Sequence, residues 1–129
     1  MKTCFIDTNY FLRLFLKDNL SQFKKVYSLF QQAINQEAQL YTSVVVFFEI
    51  YWVLSSFYKK NKRKCISFLD KFLKMEFVNI ENRVILNKTL QLFIITNLEL
   101  EDCYNIAYYQ NNSLNNFSTF DNKIVKFLK

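Results

Sequence analysis

The sequence predicts a single α/β domain over residues 1–129, in which a mainly parallel sheet is covered by helices. Short apolar segments alternate with amphipathic segments along the chain, which is the pattern of strands connected by helices. The length of 129 residues suits one domain, and a hydrophobic fraction of 51% is enough for a full core. Because the chain has no Gly and no Pro, we expect its turns at Asn, Asp and Ser.

The first half of the chain holds two strands and three helices. The predicted elements are, in order, a strand over residues 1–6, helices over residues 9–16 and 20–36, a strand over residues 39–42 and a helix over residues 44–58. Both strands are short, apolar and followed by a polar residue. In the second helix, apolar side chains three and four positions apart form one face. We expect Asp7 or Thr8 to cap the first helix and Ser43 to cap the third.

The second half of the chain continues the alternation. The predicted elements are a helix that ends near residue 75, a strand over residues 77–80, helices over residues 81–96 and 99–110, a strand over residues 117–120 and a helix over residues 121–128. Five cations in six positions mark the junction before the first of these helices, namely Lys59, Lys60, Lys62, Arg63 and Lys64. Without Gly, we expect Asn to occupy the positions that need a positive φ.

Composition excludes several classes of chemistry. The chain has no His, so it offers no imidazole acid–base catalyst, no Ser-His-Asp triad and no His metal ligand. The absence of Gly excludes a Gly-rich phosphate loop. Cys4, Cys65 and Cys103 are too widely spaced for a zinc motif and are predicted to be reduced thiols.

Charge and hydropathy set the expected surroundings of the protein. The net charge of +6 favours a polyanionic partner such as RNA, DNA or an acidic segment. No apolar run reaches the roughly 18 residues that span a bilayer. Asp7 and Arg13 interrupt the apolar N-terminus and make it a poor signal peptide. We therefore predict a cytoplasmic protein with no membrane partner.

Four acids stand in unusual places. Glu49 lies inside an apolar helix, where burial would require a charged partner, hydrogen bonds or a metal. Asp7 and Asp121 each follow a predicted strand, and Asp102 lies in the first turn of a helix. Taken singly, each of these three acids is better explained as a helix cap than as a metal ligand. Parallel strands, however, have their carboxyl ends at one edge of the sheet, so these acids would lie close together. Clustered carboxylates repel one another and persist only with a cation. The cations that oxygen ligands select are Mg²⁺ and Mn²⁺.

The same acids carry a family resemblance. Residues 5–9 (FIDTN), Ser43 with Glu49, residues 101–107 (EDCYNIA) and residues 118–121 (STFD) follow one another in an order and spacing that resemble a PIN domain. The chain looks most like the VapC-type toxin ribonucleases of toxin–antitoxin pairs. The resemblance implies a three-layer α/β/α fold with a mainly parallel sheet of four or five strands. It also implies Mg²⁺- or Mn²⁺-dependent hydrolysis of RNA.

Matched by position, the resemblance assigns roles to individual residues. The catalytic, metal-binding acids would be Asp7, Glu49, Asp102 and Asp121, and the supporting residues would be Thr8, Asn9, Ser43 and Thr119. Glu99 stands where many relatives have a further Asp. The partners implied are RNA and an antitoxin protein, and a second copy of the chain is a further candidate. The cations of residues 59–64 would hold the RNA backbone, and Tyr108 or Tyr109 would stack on bases.

Two other interpretations remain open at this point. The acids would serve only as helix caps in a non-catalytic α/β binding module. Another Mg²⁺-dependent phosphoryl-transfer domain is also compatible with an acid after the first strand. A haloacid-dehalogenase-type phosphatase would need Asp where Asn9 stands, and a response-regulator receiver would need Asp at the end of the third strand, at Ile80 or Glu81. The placement of the four acids in the fold distinguishes these interpretations.

Overall fold

Three strands and seven α-helices make up the structure, a computed structural model that describes residues 1–129. The chain divides into two units, residues 1–82 and residues 83–129. The first unit contains β1 (Lys2–Phe5), α1 (Thr8–Leu16), α2 (Leu20–Ile34), β2 (Ala38–Thr42), α3 (Val44–Trp52), a π-helical segment (Val53–Phe57), α4 (Lys62–Leu73) and β3 (Val78–Ile80). The second unit contains α5 (Arg83–Ile95), α6 (Leu100–Asn111) and α7 (Asn122–Leu128).

The sheet of the first unit is parallel, with the strand order β1-β2-β3. Its hydrogen bonds continue past the strand ends. The Ile6 N–H donates to the Tyr41 carbonyl at 2.8 Å, and the Thr42 hydroxyl donates to the Ile6 carbonyl at 2.8 Å. On the other side, the Glu81 N–H donates to the Thr42 carbonyl at 3.1 Å. The residues that follow β1 and β3 are therefore fixed at one edge of the sheet.

Aromatic side chains from four helices form the core of the first unit. Phe11 is fully buried, and its ring lies edge-on to that of Phe72 at 4.8 Å and 5.8 Å from the ring of Phe30. Phe47 packs against Phe72 at 6.2 Å. Ring pairs at these separations add to the stability that burial of their surface supplies. This core ties α1 to α2 and α3, so it fixes the direction in which α1 leaves β1.

The second unit is built on the pairing of α5 with α6. Leu86, Leu90, Ile106 and Ala107 are buried along these helices. The buried Thr89 hydroxyl donates to the Ile85 carbonyl at 2.7 Å, which satisfies a polar group that would otherwise be costly there. The helix α7 is short and buries Ile124.

The predicted strand over residues 117–120 is not formed, so the sheet has three strands rather than four or five. Phe120 is fully exposed, whereas Phe117 packs against the Tyr109 ring at 5.3 Å. The Thr119 hydroxyl accepts a hydrogen bond from the Asp121 N–H at 3.0 Å. Hydrogen bonds of this local kind compete with strand pairing, and the apolar pattern alone did not reveal them.

Two further expectations were wrong. The predicted helix over residues 44–58 changes at Val53 into a π-helical segment, where the Tyr58 N–H donates to the Val53 carbonyl at 3.1 Å. Asn occupies only one of the five positive-φ positions, which are Lys17, Gln36, Lys59, Asn82 and Ser113. These residues end helices or turns, where backbone hydrogen bonds outweigh the steric cost of a Cβ. None of the helices has the length and apolar character needed to cross a membrane.

Candidate active site

Asp7 lies at the carboxyl edge of the sheet, at the junction of β1 and α1. It is exposed and is the N-cap of α1, where its Oδ1 accepts a hydrogen bond from the Thr8 N–H at 2.7 Å. The buried Ile6 before it is bonded to β2 on both its N–H and its carbonyl. Asp7 is thus held by the sheet, and its second carboxylate oxygen is directed to no partner within the protein.

The two residues after Asp7 differ in their surroundings. Thr8 is buried, and its hydroxyl oxygen has no hydrogen-bond partner within the protein. An unpartnered buried hydroxyl costs about 1–3 kcal/mol, so a group bound beside Asp7 that engaged it would recover that energy. Asn9 is exposed on the first turn of α1. Both residues were predicted to support the acid.

Glu49 is exposed, which corrects the expectation that an apolar helix would bury it. The helix α3 is apolar on more than its buried side, because Val45 and Trp52 are 63% and 57% exposed on the stripe that also carries Glu49. The predicted need for a buried charged partner therefore does not arise. Since α1 and α3 pack together and both start from the carboxyl edge of the sheet, Asp7 and Glu49 belong to the same end of the first unit.

Glu81 was not among the predicted site residues. Ser43 is the N-cap residue of α3 but its side chain makes no capping hydrogen bond. Instead, Glu81 Oε1 accepts from the Val44 N–H at 3.0 Å. Glu81 follows β3 as Asp7 follows β1. The expectation that an acid after a parallel strand lies at the carboxyl edge of the sheet therefore applies to Glu81 as well as to Asp7. Glu81 positions the start of α3, the helix that carries Glu49.

Asp102 and Asp121 lie near each other in the second unit. Asp102 is half-buried in the first turn of α6. Burial raises the pKa of Asp102, and the negative charges of Asp121 and Glu99 raise it further. Asp121 is the N-cap of α7, and its Oδ1 accepts from the Lys123 N–H at 2.8 Å. With Thr119 bonded to the Asp121 N–H, the loop before α7 is fixed at both ends of Asp121.

The predicted RNA-binding cations lie on one short stretch of the first unit. Lys62, Arg63 and Lys64 are exposed on the first turn of α4, behind the N-cap Asn61. Lys59 is exposed and Lys60 is half-buried. The N-terminus of a helix carries a partial positive charge, so the cations at the start of α4 destabilise that helix. In the second unit, Tyr108 is 47% exposed, and Tyr109 packs against Phe117.

The family model of the PIN domain matches residues 4–127. The chain belongs to the PIN domain family. The match runs across both units, and a comparison with curated proteins returned no match. A PIN domain has a three-layer α/β/α fold with a parallel sheet, which confirms the predicted fold class. PIN domains are generally nucleases, and they typically use divalent metals such as Mg²⁺.

The acids of this PIN domain fit a hard divalent cation in their chemistry. All four predicted ligands are carboxylates, the donors that Mg²⁺ and Mn²⁺ prefer, and the chain has no His. A cation would also offset the charge that raises the pKa of Asp102. Within neither unit do three or more Cys, Asp or Glu side chains lie in an arrangement suited to hold a metal ion.

Proposed function

We propose that this PIN domain is a Mg²⁺- or Mn²⁺-dependent endoribonuclease, and that it is the toxin of a toxin–antitoxin pair. The observation that carries the proposal is the crowding of negative charge in the second unit. Burial of Asp102 and the negative charges of Asp121 and Glu99 disfavour its charged carboxylate, and a bound cation would offset that cost. PIN domains are generally nucleases, so a bound cation would take part in phosphodiester hydrolysis.

In this proposal the metal would be held by the four acids that the sequence predicts as ligands. Asp7, Asp102 and Asp121 would bind it directly, and Glu49 would bind it directly or through water. When bound, such an ion would lower the pKa of the attacking water and offset charge on the phosphate oxygens. The Thr8 hydroxyl, buried and unpartnered, would bond a group held beside Asp7. Glu81 and Thr119 are positioning residues, because they act on α3 and on the Asp121 backbone.

RNA is the favoured substrate because of charge and the absence of His. The net charge of +6 attracts a phosphate backbone, and the cations Lys59, Lys60, Lys62, Arg63 and Lys64 would contact it. A single strand can reach acids at a sheet edge more easily than a stacked duplex can. Hydrolysis by carboxylates and a metal needs no imidazole.

The toxin assignment adds partners to the proposal. An antitoxin protein would cover the acids, and a second copy of the chain is a further candidate partner. Large apolar side chains remain exposed in each unit, including Trp52 at 57% and Phe57 at 75% in the first and Ile95 at 74% in the second. Such side chains are typical of docking surfaces. Cys4, Cys65 and Cys103 form no disulfide, which fits a reducing, cytoplasmic location.

A specific observation favours the alternative of a non-catalytic module. Asp7 and Asp121 are both helix N-caps that accept a backbone hydrogen bond, as capping alone would require. Asn caps a helix as well as Asp does, but it is a poor metal ligand without a charge. Substitution of these acids by Asn therefore separates the two functions with little effect on the fold.

The test is to incubate the purified chain with single-stranded RNA and Mn²⁺ or Mg²⁺ and to measure cleavage by gel electrophoresis of the RNA. We expect cleavage that EDTA abolishes, and a loss of at least about 100-fold in Asp7→Asn, Glu49→Gln, Asp102→Asn and Asp121→Asn, since a lost ligand removes several kcal/mol of transition-state stabilisation. Asp70→Asn is the matched control, because the Asp70 side chain is 47% exposed and pairs with Lys74 at the end of α4. Full activity in Asp7→Asn, or activity that survives EDTA, contradicts the proposal.

A further inference from the structure

Two cavities of the first unit share part of their lining. One, of about 180 Å³, lies between α1 and α2. The other, of about 410 Å³, lies between β1 and α2. Tyr10 and Lys25 line both, so the two cavities form one groove, which we call the α2 groove. None of its lining residues is acidic, although the chain has 11 Asp and Glu.

The side chains along the α2 groove are suited to bind an anion. Lys2, Arg13 and Lys25 supply three positive charges. The Nε–H of Arg13 is buried and has no acceptor within the protein, whereas its two terminal nitrogens are bonded to Tyr58 at 2.7 Å and paired with Asp18 at 3.5 Å. The guanidinium is thus held in place by Tyr58 and Asp18, and its charge is partly offset by Asp18. Asn9, Gln22, Ser28 and Gln32 add neutral polar groups along the groove.

Aromatic rings and position identify which kind of anion fits. Phe5 is 61% exposed in the groove wall, and Tyr10 lies beside it in the lining. Exposed rings next to cations are the platform on which single-stranded nucleic acids stack. Between Gln22 and Gln32, α2 rises by about 15 Å, which is the length of about four nucleotides at a stacked spacing of 3.4 Å.

The α2 groove also reaches the candidate active site. Its lining includes Ile6 and Asn9, the residues on either side of Asp7 and Thr8. We propose that the α2 groove binds the single-stranded RNA substrate on one side of the cleavage point, with Lys2 and Lys25 on its phosphates and Phe5 under a base. This inference rests on the proposed ribonuclease function, because that function makes the strand a substrate.

The test measures binding without cleavage. The probe is a fluorescent oligouridine of about eight nucleotides, roughly twice the groove length, in EDTA, with anisotropy followed over a range of salt. We expect Lys25→Gln to weaken binding about five- to tenfold and to lower the salt slope by about 0.7, the value for one phosphate contact. Lys24→Gln is the control, because Lys24 is the adjacent exposed cation and does not line the groove.

A second pair of variants tests stacking. Phe5→Ala should weaken binding about fivefold or more, whereas Tyr27→Ala, on an exposed ring of α2 outside the groove, should change it less than twofold. Equal effects of Lys24→Gln and Lys25→Gln would show unspecific attraction and overturn the inference. So would a Lys25→Gln variant that binds oligouridine normally but loses affinity for a polyglutamate peptide, since the groove would then receive an acidic protein segment.

The outcomes separate this inference from the proposed function. Cleavage that depends on the acids, together with equal binding by Lys24→Gln and Lys25→Gln, keeps the nuclease and overturns the α2 groove. Binding that depends on Lys25 and Phe5 without any metal-dependent cleavage keeps the groove as an RNA site and overturns the nuclease.

Discussion

The two units hold their acids in different ways. In the first unit, Asp7 and Glu81 follow the ends of strands, and each accepts a hydrogen bond from the first backbone N–H of a helix. In the second unit, no strand is present, and Asp102 is half-buried beside Asp121 and Glu99. Capping is sufficient to explain why acids stand at the sheet edge. It does not explain Asp102, because burial, and then the charges of Asp121 and Glu99, raise the pKa of its carboxyl group.

The two kinds of acid contribute to the stability of the folded state in opposite directions. A capping acid contributes to the folded state whether or not a ligand binds, typically by about 1 kcal/mol. A carboxylate with a raised pKa lowers the stability of the folded state at neutral pH. Capping therefore explains Asp102 less well than it explains Asp7 and Glu81.

Metal binding should produce the largest effect on stability and should depend on the second unit. At 100 times its dissociation constant, Mn²⁺ should raise the free energy of unfolding by about 2.7 kcal/mol, because it binds the folded chain. Asp102→Asn should reduce this gain sharply, and Asp70→Asn should retain it. Thermal or urea unfolding with and without Mn²⁺ measures both. An equal gain in the two variants would show that the metal binds elsewhere.

Removal of one acid from each unit should change stability in opposite directions. Without metal, Asp7→Ala removes the cap of α1 and should cost about 1 kcal/mol. Asp102→Asn relieves the repulsion from Asp121 and Glu99 and should stabilise the chain at pH 7. Urea unfolding in EDTA measures both changes. If Asp102→Asn were as destabilising as Asp7→Ala, the contrast between the units would fail.

Within the first unit, the cap of α3 should depend on Glu81 and not on Ser43. Glu81→Ala leaves the Val44 N–H without its acceptor and should cost about 0.5–1 kcal/mol. Ser43→Ala should change stability by less, since the Ser43 side chain makes no capping bond. The reverse order in urea unfolding would mean that Ser43 caps the helix in solution.

The elements of the fold were predictable wherever hydrophobic period and caps agreed. The buried alternation of β2 and the spacing of α2 gave those elements within two residues of their observed bounds. The segment at residues 117–120 was misread because an apolar pattern does not show that Thr119 bonds the backbone of Asp121. Glu49 was misread because periodicity cannot show that α3 leaves Val45 and Trp52 exposed.

The sequence predicted candidate acids of the site, but it did not predict the groove beside them. Acids after strands pointed to Asp7, and the same signal should have pointed to Glu81. The α2 groove was beyond the sequence, because Lys2, Arg13 and Lys25 come from a strand and two helices whose packing alone brings them together. Long-range packing of this kind leaves no local pattern in the chain.

The smallest expected effect is a change with pH in the difference between the wild type and Asp102→Asn. The pKa of Asp102 is raised above its ordinary value of 3.8 in the folded chain, so the charged carboxylate costs stability at pH 7. As pH falls through the raised pKa towards 3.8, the folded chain takes up this proton first, and the cost disappears. The variant cannot titrate there.

Unfolding in EDTA at a series of pH values should therefore show that Asp102→Asn is more stable than the wild type at pH 7. The free energies of unfolding of the two chains should converge below the ordinary Asp pKa of 3.8. The other carboxylates are common to both chains, so the difference between the chains reports on Asp102. A difference that stays constant with pH would mean that neither burial nor neighbouring charge raises the pKa of Asp102, and the contrast between the two units would then lose its physical basis.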